Sequence, residues 1–402
     1  MTKNTKTRIS LGEIFRMPIV LIGIVLLAYL LLGLVYCIPT SGRMQDNMTK
    51  SAIFFKNEGD YPDLMSNYNS RLDNWTDIIM LLEASNEPKS SNPFVESLKS
   101  EHLHAFGKYP LDIIIDKYLT KENKLNYGTI RSINSSIIAV LFSHLIYLFL
   151  NRKEFIIPFL ILFLFLNLVS IMLSLQFSTV TIITLVSVIV IKRYFIKIRE
   201  FINYVFLLIG SLTGFFDFLT FPILSLGVLL LTWIILNEEE DFKKKIVDIL
   251  KLSFYWLLGY SVMWSSKWVI ASLFTDYNVI VDAVEAAKER FSDVYWDDHI
   301  TLFDTLYRNL GVSFQPIWLL MVVGLFIRFL FHKKAFISKE SINTLILCLV
   351  VGLFPFLWSA IVKNHTYSHC FFTFRIFGIS VFAYSIFICF ITKNKKNGYK
   401  EK

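Results

Sequence analysis

The chain has no glycine-rich phosphate loop and no alternating strand and helix pattern, so no nucleotide-sugar site is expected in it. No His-Glu-x-x-His pattern is present, which leaves zinc without its usual helical signature. Its four cysteines contain no C-x-x-C pair. Cys348 and Cys389 fall inside apolar runs as small core residues, while Cys37 and Cys370 lie near one membrane edge, where a disulfide between them is one reading. No inverted repeat is visible, a feature that many transporters carry. The first apolar run, about Pro18 to Tyr36, lacks a small-residue cleavage site and reads as a retained helix.

Charge is also scarce, at 18% of residues against 54% hydrophobic and 16% aromatic, with a mean hydropathy of +0.54. A chain this apolar has the bilayer as its solvent. Its 38 phenylalanines are concentrated in runs of roughly twenty residues, the length that crosses about 30 Å of hydrocarbon. Such runs are helices, because lipid offers no other partner to backbone amides. Ten spans are predicted, at 17–37, 134–150, 155–175, 177–191, 201–217, 220–236, 247–273, 312–331, 342–362 and 371–391.

The formal net charge of +8 does not point to nucleic acid, because the lysines and arginines are gathered in every second connector. Arg152 and Lys153, Lys192 and Arg193, Lys243 to Lys245, and Lys333 and Lys334 mark those connectors, and Lys393 to Lys402 the tail at 392–402. The connectors near Gln176, Thr220 and Lys363 carry almost none. The positive-inside rule then puts both termini in the cytoplasm and the alternate connectors outside. Two outer segments are large. The first, 38–133, contains "DIIMLLEAS" and "PLDIIIDKYL", patterns of helices lying on a membrane surface. The second, 275–311, contains the amphipathic "VIVDAVEAAKERFSDVYW". The whole chain, 1–402, reads as one all-α polytopic membrane bundle with a lid-like insertion after its first span.

The polar residues that an apolar bundle would not choose fall on the predicted outer side. Asp73 and Asp77 are four apart and share a helix face. They are a solvated cap, a general base, or ligands of a divalent cation such as magnesium or manganese. Asp217 lies among aromatic residues at a span end, as a cap of the next helix or a charge that needs a partner. Lys267 either snorkels or pairs with Asp217 or a phosphate. His365 and His369 suit hydrogen bonds to a phosphate or a sugar hydroxyl, and Arg375 aims a guanidinium at an anion or snorkels. His102 and His104 read as ordinary loop residues, and the sequons at Asn47, Asn74 and Asn364 face outward.

This layout resembles the GT-C superfamily of membrane glycosyltransferases. The stretches "RLDNWTDIIML", "FFDFLTFPILSLG", "WSSKWVIAS" and "NHTYSHCFFTFR" are similar to ones in multi-pass proteins of bacterial surface-polysaccharide clusters. The resemblance implies a bacterial plasma-membrane enzyme with its site on the external face. It implies a polyprenyl-phosphate-linked sugar as donor, a glycan or glycolipid as acceptor, and Asp73 or Asp77 as catalytic base. In that family the acidic motif follows the first span more closely, which keeps Asp46 as a second candidate. Asp217, Lys267, His365, His369 and Arg375 would bind substrate or its phosphate. Polysaccharide polymerases or ligases share the span count but carry their largest outer loop later in the chain. A transporter or flippase would place its charges near the bilayer midplane instead.

Overall fold

The computed structural model describes residues 11–36, 42–85, 95, 98, 127–217, 219–237, 241–314, 316–331 and 339–391. They are almost entirely helical. In chain order the helices are α1 (Leu11–Tyr36), α2 (Gly42–Glu58), α3 (Asn74–Ser85), α4 (Tyr127–Leu148), α5 (Lys153–Phe165), α6 (Leu168–Leu173), α7 (Leu175–Arg193), α8 (Ile202–Phe216), α9 (Ile223–Leu236), α10 (Phe242–Phe274), α11 (Val279–Phe291), α12 (Leu302–Ser313), α13 (Pro316–Phe331), α14 (Lys339–Val351), α15 (Phe354–Ile361), α16 (Lys363–Ser368), α17 (Cys370–Thr373) and α18 (Gly378–Ile391). Short turns of helix join some of them, and one two-residue hairpin pairs β1 (Val294–Tyr295) with β2 (Asp298–His299).

Among the described residues six stretches are long and apolar enough to cross a membrane, or seven if α12 and α13 form one bent crossing. Two further helices, α5 and α9, are apolar but shorter than a full crossing. Several runs predicted as continuous are broken. The run 155–175 stops at Asn167, which takes a left-handed backbone (φ 55°) and caps α6 by accepting from the Ser170 amide. The run 342–362 is interrupted at Gly352 and Leu353, after which Pro355 occupies the first turn of α15. The run 371–391 begins as α17 and a 3-10 turn before α18.

At the centre stands α9, whose residues Ile223 to Ile235 are all buried between α7, α14 and α18. Among the described residues the helix pair in most extensive contact is α8 with α10. A β-carbon on Gly210 would come within 2.0 Å of the Trp256 carbonyl oxygen, and one on Gly259 within 2.2 Å of the Leu207 carbonyl oxygen. In lipid, where apolar contact alone gives little preference for helix pairing, such backbone approach is what holds helices together. Gly210→Ala and Gly259→Ala must push backbone apart, so each is expected to cost about 3 kcal/mol, the upper end of ordinary overpacking. Thermal unfolding in detergent checks this, and wild-type melting in both variants would refute the close crossing.

The predicted outer connectors meet at one end of the bundle. Asp77 Oδ1 accepts from the Gln176 amide (2.9 Å), His365 Nε2 donates to the Leu219 carbonyl (2.7 Å), and Asn309 Nδ2 donates to the Thr366 carbonyl (2.8 Å). Tyr61 and Phe371 join the first connector to the last, ring centroids 5.8 Å apart. At the other end, Lys192 lies 5.3 Å from the Phe149 ring centroid and Lys245 Nζ donates to Thr344 Oγ1 (2.7 Å). In the first insertion, "DIIMLLEAS" forms the body of α3, but Asp73, Asn74 and Asp77 at its start are buried and do not lie on a surface. "PLDIIIDKYL", His102, His104 and Cys37 lie outside the described residues, as does the Asp46 side chain. Cys370 is a free, buried thiol, so the disulfide reading for it does not hold.

Candidate functional site

A cavity of about 710 Å³ opens at the end where those connectors meet. That is ample for a drug-sized or disaccharide-sized ligand. One wall is α10, which contributes Leu257, Ser261, Trp264 and Trp268, residues three to four apart and so stacked on one face. This stripe runs over eleven residue steps, roughly 16 Å of helix. Leu257 of α10 and Ile361 of α15 also line the cavity, and both residues are about half exposed. Its polar lining comes from Asp73, Gln176, Arg290, His365 and His369, together with Tyr61 and Phe372.

Asp73 is the N-cap of α3. Its Oδ1 accepts from the Thr76 amide (3.0 Å) and its Oδ2 from the Thr76 hydroxyl (3.0 Å). Burial raises its pKa to about 7 even though both Thr76 bonds and their pull on the charge oppose it, and the nearby Asp77 adds to the rise. A carboxyl poised there can take a proton from a hydroxyl at neutral pH.

Asp77 does different work. Its carboxylate is fully buried and accepts from the Leu175 amide (3.0 Å), the Gln176 amide (2.9 Å), the Ser174 hydroxyl (3.4 Å) and the Tyr127 hydroxyl. It therefore caps the N-terminus of α7 from another helix, a place where negative charge is favoured. Burial raises its pKa, and its donors work against that rise. Asp77 does not line the cavity, but the residue it holds does. Gln176 is buried, and its Oε1 meets no donor among the described residues. An unsatisfied buried acceptor in a cavity wall calls for a donor from a ligand.

His365 is oriented by a relay from Asp217. The Asp217 carboxylate accepts from the Thr220 amide (3.1 Å) and hydroxyl, which supports the left-handed backbone of Leu219 (φ 62°). The Leu219 carbonyl then accepts from His365 Nε2, so the neutral ring carries its proton on Nε2 and leaves Nδ1 bare. The His369 ring lies 4.7 Å from that of His365 and stacks on Phe372 at 5.2 Å. Burial, followed by the nearby Arg290 cation, pushes His369 down to about 4; burial, His369 and Arg290 hold His365 well below its ordinary range. Both imidazoles are neutral at physiological pH, ready to share hydrogen bonds without adding charge.

The two cations expected here sit elsewhere. Lys267 is fully buried in α10 and donates to the Leu98 carbonyl (2.8 Å). Arg375 is fully buried, donating to the carbonyls of Leu166 (2.9 Å) and Phe371 (3.2 Å) and to the Ser170 hydroxyl (2.6 Å), with its guanidinium 4.6 Å from the Phe177 ring. Neither lines the cavity. The cation that does is Arg290 of α11, at the end of "VIVDAVEAAKER", where a charge on an amphipathic helix had no reason to stand out. Gln176 was equally inconspicuous, a single amide in a short connector. Among the described residues no three His, Cys, Asp or Glu side chains gather as a metal set, and the oxygens of Asp73 and Asp77 are turned to different partners. No protein-family model, curated protein or solved structure matches the chain.

Proposed function

We propose that this chain is a membrane glycosyltransferase that moves a sugar from a polyprenyl-phosphate-linked donor to a surface glycan or glycolipid acceptor, on the outer face of a bacterial plasma membrane. What carries the reading is the lining of the cavity, which combines apolar side chains, two of them about half exposed, with one carboxyl, one guanidinium and an unsatisfied amide oxygen. An amphiphile with a long tail and a phosphate-linked sugar fits that combination of surfaces. Arg290 would meet the phosphate, and Gln176 Oε1 a sugar hydroxyl. Asp73 would take the proton of the acceptor hydroxyl as its oxygen attacks the anomeric carbon. The bond from that carbon to the phosphate oxygen breaks with its electron pair going to the phosphate, where Arg290 stabilises the charge. His365 and His369, both neutral, would orient hydroxyl groups. Asp77 and Asp217 act as positioning residues, Asp77 through Gln176 and Asp217 through His365.

The test is the surface-glycan composition of a deletion strain, with wild-type and Asp73→Asn copies returned. Loss of one sugar or branch, restored by wild type and not by Asp73→Asn, is the expected result. Unchanged repeats with altered chain length would favour a polymerase or ligase, and no glycan change at all would remove the enzyme reading. In membranes, transfer is expected to rise as pH passes through about 7, because a base works only after losing its proton and Asp73 is held near that value. A flat profile between pH 6 and 8 would remove Asp73 from that role.

A further inference from the structure

Helix α12 is inside out. Its polar residues Thr305, Asn309 and Ser313 are buried, while Phe303, Tyr307 and Phe314 beside it expose 73%, 74% and 68% of their surface. At about 100° per residue, Phe303, Tyr307, Leu310 and Phe314 share one stripe, and the buried polar residues lie on the opposite side. A helix on a water-exposed surface has the reverse arrangement.

The inward face is fully explained. Asn309 donates to the Thr305 and Thr366 carbonyls (2.9 and 2.8 Å) and accepts from the Thr373 hydroxyl (2.9 Å). The first turn is closed by a reciprocal capping box between Thr301 and Asp304. Only the outward aromatic stripe lacks an explanation within the fold.

The next helix indicates what covers it. The axes of α12 and α13 differ by 94°, and Trp318 Nε1 donates across the corner to the Ser313 carbonyl (2.8 Å). α13 is apolar and exposes Leu320, Phe326 and Leu330, the surface of a helix standing in lipid. With α13 upright in the bilayer, a helix at right angles to it runs in the membrane plane. We propose that α12 lies in the boundary between headgroups and acyl chains, with the lipid bilayer as the occupant of the Phe303, Tyr307, Leu310 and Phe314 stripe. Large aromatic side chains suit that layer, where one end of the ring is apolar and the other wet. The polar underside then has a second role. Through Asn309, α12 grips Thr366 and Thr373, which flank His369, so the lipid contact fixes the depth of the histidine wall. This holds whatever ligand the cavity takes.

Nitroxide labels on Phe303→Cys and Tyr307→Cys, in full-length protein in lipid nanodiscs, test the placement. Leu320→Cys on α13 serves as the lipid reference and Asp298→Cys at the exposed hairpin as the water reference. The signal of labelled wild type is subtracted, and three of its four cysteines are buried. The ratio of oxygen to nickel-chelate collision rates at 303 and 307 is expected to match Leu320→Cys and exceed Asp298→Cys. A ratio matching Asp298→Cys would place the stripe in water and overturn the proposal. Spin–spin broadening between labels at 303 would assign the stripe to a second copy of the chain and overturn it as well. Labelling at both positions keeps the result readable if one variant fails to fold.

Discussion

Asp77→Ala is expected to leave little folded protein, although Asp77 touches no ligand. The substitution strips the acceptor from the Leu175 and Gln176 amides and from the Ser174 and Tyr127 hydroxyls, all buried. Each buried donor left without a partner costs about 1–3 kcal/mol. Four of them together approach the whole stability of a typical protein, about 5–15 kcal/mol. Asp77→Asn keeps one carbonyl oxygen and should fall between the extremes. Asp73→Asn, which changes an N-cap from one good capping residue to another, should fold almost as wild type. Fluorescence-detected size-exclusion and thermal unfolding of the three variants provide the comparison. If Asp77→Ala melts with wild type, the carboxylate is not the pin between α3 and α7.

Two arginines should fail in opposite ways. Arg290→Ala is expected to lower transfer by about 10²–10³-fold, the usual loss when one charge-stabilising donor is removed, while leaving melting near wild type. Arg290→Lys keeps the charge without the planar fork and should recover part of the rate. Arg375→Ala should instead lose folded protein. It abandons the Leu166 carbonyl and the Ser170 hydroxyl in the interior, at about 1–3 kcal/mol each, and removes a guanidinium packed against Phe177, Phe221 and Phe374. Rate constants and melting curves measured on the same preparations separate the two roles. An Arg290→Ala protein that is active and an Arg375→Ala protein that is folded but inactive would reverse the assignment.

That contrast shows what could be read from the sequence. Polar residues isolated in apolar surroundings are conspicuous, and Asp73, Asp77, Asp217, Lys267, His365, His369 and Arg375 all stood out for that reason. Being conspicuous says that a residue needs partners, not which ones. Lys267 and Arg375 satisfy theirs on backbone carbonyls far away in sequence, Leu98 and Leu166, and no local pattern encodes that reach. Arg290 and Gln176 were hidden for the opposite reason, because a charge on an amphipathic helix and an amide in a connector look ordinary. The apolar runs themselves were legible from length and composition. Their breaks were less so, since Asn167 is one residue within "FLFLNLVS" and its left-handed turn depends on a bond to Ser170. The in-plane course proposed for α12 is not legible either, because "LFDTLYRNLGVS" is too polar to read as lipid-facing until the buried side is known.

The buried tie of Asp77 to α7, together with Arg131, which joins Glu58 (2.8 Å) and Asn74 (2.6 Å), pins the described part of the first insertion to the bundle at several points. Lifting it would expose several ionised or hydrogen-bonded groups at once. The half-exposed wall formed by Leu257 and Ile361 carries no such penalty, and on the proposed function a tailed substrate would enter from the side there. Its search is then confined to a plane. What would set its rate of arrival is the number of donor molecules per unit area of membrane, a number that dilution of the surrounding water would leave unchanged.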